Sequence, residues 1–154
     1  MLKEEKELLI QDLGARLPYG VIISVKDINN FQFDGILHVI GQNWCRLDIL
    51  DPIKKARVKN PTIPLEYIKP YLRPLSSMTE DEKNELKEYL DAAEVDYNGF
   101  GYSEGGTLED YISSIPYSIC SSVVDWLNKK MFDFRGLIPR GRAISTEEFN
   151  PYEN

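Results

Sequence analysis

The chain has 154 residues, 42% of them hydrophobic and 28% charged, with a net charge of −7. That profile fits one globular domain, residues 1–154, able to bury roughly two-thirds of its unfolded surface. No run approaches the ~20 apolar residues of a membrane span, the opening MLKEEKELLI lacks a signal peptide's apolar core, and the histidine His38 and the cysteines Cys45 and Cys120 have no metal-ligand spacing, so a cytoplasmic location and no cofactor are expected.

The first predicted element is a helix over residues 2–17. Leu2, Leu9, Leu13 and Leu17, helped by Ile10, repeat at helical spacing with Lys and Glu on the other faces. Pro18 disfavours the α conformation at Leu17, and Gly20 frees the turn. Three strands follow. Val21, Ile23 and Val25 share one face of the first. The second, FQFDGILHVIG, becomes apolar on both faces after Gly35, as in a strand that bends. In the third, Cys45, Leu47 and Ile49 point inward while Trp44, Arg46 and Asp48 point outward. A helix and then a tightly turned, bent meander predict an α+β fold: a small bent antiparallel sheet or partial SH3-like or Sm-like barrel with packed helices.

Residues 53–74 contain four prolines, at 61, 64, 70 and 74, and are expected to give at most a short edge strand and a helical turn near LEYI. Residues 51–79 carry six cations against two acids, whereas residues 80–128 carry two cations against twelve acids. TEDE at 79–82 is a capping box for a helix over 80–93, with Leu86, Leu90 and Ala93 as its buried stripe. A glycine-rich, aromatic loop, DYNGFGYSEGGT, precedes a short helix started by TLED. A further helix has Ile119, Val123, Trp126, Leu127 and Met131 spaced for burial. DFRGLIPRGRAI predicts a turn and a short extended piece, and the tail STEEFNPYEN is expected to fray. The domain thus reads as a helix plus β meander over 1–75 and a mainly helical half with a C-terminal tail over 76–154.

Few of these residues suggest catalysis. His38 would have to serve any Ser–His or Cys–His pair, but its same-face neighbours Ile36 and Ile40 predict a hydrogen-bonded, partly buried imidazole. The acids lie mostly on the 80–96 segment as a solvated face. Gly99, Gly101, Gly105 and Gly106 follow a helix and lack dinucleotide or phosphate-loop spacing. Their loop displays Tyr97, Phe100 and Tyr102, which suit a protein partner. The basic strip Lys54, Lys55, Arg57 and Lys59 suits either a phosphate backbone or internal pairing with the acidic segment.

Two blocks, KPYLRPLSSMTEDEK at 69–83 and DWLNKKMFDFRGLIPRGRAI at 125–144, resemble a family of proteins from gut Bacteroidales genomes, their prophages and phages. In that family a KPYLRPMSSMT block followed by acids precedes a WLN block ending in DYRGLI. The likeness covers about 35 of the 154 residues and implies a phage or mobile-element setting without an assigned activity. Relatives often show a histidine pair where this chain has Lys130 and Met131. Chemistry by such a pair is closed here, so the block is expected to be structural, with Trp126, Leu127, Phe132, Phe134, Leu137 and Ile138 packing and Gly136 turning the chain. Arg135 is expected to bridge to a carboxylate or to backbone carbonyls. The two blocks are expected to pack together, covering Tyr71, Leu72 and Leu75.

The functional expectation is a non-enzymatic protein-interaction module. The alternative is a small-barrel nucleic-acid-binding protein using the basic strip, although the net negative charge opposes phosphate backbones. A hydrolase or transferase is the third reading, and it would need a pocket joining His38 or several acids.

Overall fold

The computed structural model describes residues 1–58, 62–92 and 121–153. The glycine loop, the TLED helix, Lys59 and Ile119 lie outside them. Among the described residues are four helices: α1 (Lys3–Arg16), α2 (Pro52–Arg57), α3 (Glu80–Ala92) and α4 (Ser121–Lys129). The strands are β1 (Ile22–Lys26), β2 (Gln32–Ile40), β3 (Trp44–Ile49), β4 (Thr62–Pro64), β5 (Ile68–Leu72) and β6 (Ile144–Ser145). They form one six-stranded sheet in the order β4-β3-β2-β1-β5-β6. All neighbours are antiparallel except β5 and β6, which run parallel. The fold is α+β, and the sheet is mixed and open, so the barrel and purely antiparallel alternatives both give way.

Strand alternation in β3 is as read, with Cys45, Leu47 and Ile49 buried and Trp44, Arg46 and Asp48 exposed. The irregularity in β2 is a bulge between Leu37 and Val39, not a bend at Gly35. Gly35 instead permits close approach of β3: a Cβ there would stand 2.8 Å from the Leu47 Cβ and 3.0 Å from the Asp48 carbonyl oxygen. His38 shares the outer face with Gln32, Asp34 and Ile36 and is exposed, which corrects its expected partial burial.

The proline-rich stretch holds more structure than its composition predicts. Asp51 caps α2 by accepting from the amides of Ile53 and Lys54, at 2.8 and 3.3 Å. Leu65–Tyr67 form the expected helical turn. Ile68–Leu72 then enter the sheet between β1 and β6. Pro70 is tolerated there because β6 pairs only with Tyr71 and Leu72, leaving that edge of β5 unpaired at Pro70.

Two hydrophobic clusters divide the core. One lies beneath the sheet, where Leu9 and Leu13 of α1 meet Val21, Ile23, Leu37, Cys45 and Leu72. The other joins α3 and α4 through Leu86, Val123, Trp126, Leu127 and Phe132. Leu2, read as part of the α1 stripe, is exposed. The tail docks where fraying was expected: Tyr152 Oη donates to the Tyr71 carbonyl at 2.9 Å and accepts from the Ile22 amide at 3.0 Å. Burial pushes the Tyr152 phenol up to about 12.

Candidate functional site

The second sequence block is anchored to α1. Asp12 and Arg16 follow Leu9 at i+3 and i+7, on the helix face that packs inward. Both are fully buried. Arg16 donates from Nε and Nη2 to the two Asp12 oxygens, both at 2.9 Å. Its guanidinium also reaches the Phe132 carbonyl at 2.7 Å and the Asn128 carbonyl at 3.4 Å. Arg135 Nη1 donates to Asp12 Oδ1 at 2.8 Å and to Asn128 Oδ1 at 2.9 Å. The bridge expected of Arg135 is therefore present, and its carboxylate comes from the other end of the chain.

Asp133 completes the arrangement. Its two oxygens accept from the Leu137 and Ile138 amides at 2.8 and 2.7 Å, closing the turn that contains Gly136. Burial raises the Asp133 carboxyl above its ordinary range, against the pull of those amides. Asn128, Asp133 and Arg135 are thereby used to hold α1, α4 and the following turn together.

The first block, which joins the proline-rich stretch to α3, is held by internal bonds in the same manner. Thr79 and Glu82 form the reciprocal cap, with Glu82 N donating to Thr79 Oγ1 at 3.2 Å and Thr79 N donating to Glu82 Oε1 at 3.1 Å. Arg73 grips the same carboxylate with two bonds of 2.7 Å while lying 4.2 Å over the Phe132 ring. The guanidinium holds the Glu82 carboxyl down at about 2. Backbone bonds from Arg73 N to the Met131 carbonyl and from Asp133 N to the Arg73 carbonyl, both 2.8 Å, zip the two blocks together.

A cleft of about 690 Å³ lies over this seam. Arg73 and Glu82 line one side, Lys129, Lys130 and Met131 another, and Tyr19 and Tyr152 a third. Met131 has φ +62°, a left-handed conformation that costs about 1–2 kcal/mol in a non-glycine residue. It occupies the αL position of a Schellman ending on α4, with Phe132 N bonded to Leu127 O at 3.0 Å and Met131 N to Asn128 O at 3.1 Å. Burial of its side chain against the sheet core offsets that strain. Within the cleft Arg73 pairs with Glu82, and Lys130 with Glu85 at 3.6 Å. Tyr19 is bonded to Asp125, which raises its phenol.

Other sequence-selected residues lie elsewhere. Lys54 and Lys55 sit on α2, where Lys54 Nζ donates to the Gln32 carbonyl at 2.6 Å and Lys55 Nζ to Asp48 at 2.8 Å. Their partners are in the sheet, not in the acidic segment. Arg57 is exposed at the end of α2, and Lys59 falls outside the described residues. Tyr97, Phe100 and Tyr102 also fall outside them. Cys45 is buried in the sheet core, which pushes its thiol up to about 12 and disables it as a nucleophile near neutral pH. Among the described residues, no three of His, Cys, Asp and Glu gather as a metal site, and no helix is long and apolar enough to cross a membrane.

Sequence reasoning missed a second feature, a set of exposed aliphatic residues at one end of the sheet. Ile28 is 79% exposed, Ile53 69% and Leu50 46%. The register brings them to the same end. Lys26 pairs with Gln32, so Ile28 lies in the β1–β2 turn just beyond. Ile49 pairs with Gly35, and Leu50 N donates to Asp34 O at 3.0 Å. The Lys54–Gln32 bond then folds α2 back against the same strand ends. Comparison of the chain with protein-family models, curated proteins and solved structures finds no match.

Proposed function

We propose that this chain is a non-enzymatic protein-interaction module of phage or mobile-element origin. The observation that carries the reading is the group Ile28, Leu50 and Ile53, three large aliphatic side chains left in water at one end of a sheet whose core is otherwise well filled. Solvated aliphatic groups brought together in this way are a recurrent mark of association surfaces. The reactive groups support the same reading, since Asp12, Asp133 and Glu82 are taken up by internal bonds and the Cys45 thiol is held protonated. The origin rests on the resemblance of the two blocks, and the identity of neighbouring genes tests it.

The module itself is tested by photo-cross-linking. A benzophenone side chain placed at Ile53 or Ile28 of the full chain, in host cells, should yield a protein adduct of discrete mass. The same group at the exposed Asn84 of α3 serves as a control. A nucleic-acid adduct at these positions would transfer the assignment to the basic strip. The reading is abandoned if no discrete adduct forms and affinity purification at low and moderate salt recovers no specific partner.

A further inference from the structure

We draw no further inference here: the strongest candidate, the exposed aliphatic group Ile28, Leu50 and Ile53 at one end of the sheet, is flanked by acids and cations in balance, Asp27, Asp34 and Asp51 against Lys26, Lys54 and Arg57, and nothing in the structure shows what covers it.

Discussion

Replacing Asp12 should be among the most damaging single changes available to this protein. Its two carboxylate oxygens accept three charged hydrogen bonds, two from Arg16 and one from Arg135, at 2.8–2.9 Å and without access to water. Loss of one partner from a buried ion pair costs about 3–5 kcal/mol, because the remaining charge is stranded away from solvent. Two guanidinium groups are affected here, but neither is left without acceptors. Arg16 keeps the Phe132 and Asn128 carbonyls, and Arg135 keeps Asn128 Oδ1. Asp12→Asn, which preserves volume and one acceptor, should therefore cost about 3 kcal/mol, and Asp12→Ala about 5 kcal/mol. In a chain of this size that corresponds to a fall in Tm on the order of 10 °C. Urea unfolding followed by circular dichroism gives the measurement, with a lower midpoint and an unchanged m value as the signature. A triple variant, Asp12→Leu with Arg16→Met and Arg135→Met, should be more stable than Asp12→Ala, since it removes the stranded charges along with their partner. If Asp12→Asn lies within about 1 kcal/mol of the parent, or the triple variant is no better than Asp12→Ala, the cluster is not the paired, dehydrated unit described.

Four further outcomes follow from other parts of the fold. The Glu82 carboxyl is held at about 2, against an ordinary 4.5, so its contribution is complete above pH 4.5 and is lost as pH falls toward 2. Glu82→Gln or Arg73→Met should flatten that acid limb, and an unchanged slope would show that the clamp is not formed in solution. Asp133, with its carboxyl raised by burial, works in the opposite sense: its contribution is present at low pH and fades as pH rises through the raised value. Gly35→Ala should cost about 1–3 kcal/mol by overpacking against β3, and Leu47→Ala should fail to rescue it because the clash is with the Leu47 Cβ and the Asp48 backbone. In a Cys120→Ser background, Cys45 should resist a disulfide reagent until denaturant opens the sheet, and rapid labelling of the native protein would contradict its burial.

Much of the local structure could be read from the chain. Period-two alternation in WCRLDIL identified β3, because a half-buried strand must send alternate side chains to opposite faces. TEDE marked the start of α3 because its capping bonds run between residues three apart and need no tertiary partner. Arg135 was legible as a bridge because a cation amid Phe, Leu and Ile must find an acceptor when it is buried. The other half of that cluster was also within reach: Asp12 and Arg16 share helical spacing with Leu9 and Leu13, a pairing hidden when only the apolar positions are counted. The errors have a common source. β5 was discounted for Pro70, whose tolerance depends on where β6 stops. The tail was expected to fray, yet Tyr152 docks between the Ile22 amide and the Tyr71 carbonyl, contacts more than 80 residues away in sequence. His38 reads as partly covered because Ile36 and Ile40 share its face, yet that face stays open to solvent.

The sequence by itself determined α1, the inward faces of the β1–β3 meander, the Thr79–Glu82 cap of α3 and the absence of any long apolar span. These depend on periodicity and on contacts a few residues apart. Which acid meets which cation was settled only by the tertiary structure. Arg73 chose Glu82 across the proline joint, Lys55 chose Asp48 in the sheet, and Asp12 drew together arginines from both ends of the chain. The exposed aliphatic residues belong to the same category, because Ile28, Leu50 and Ile53 reach the same end of the sheet only through strand register and the placement of α2. Charge and apolar surface act through space, and composition fixes their amounts without fixing their distances.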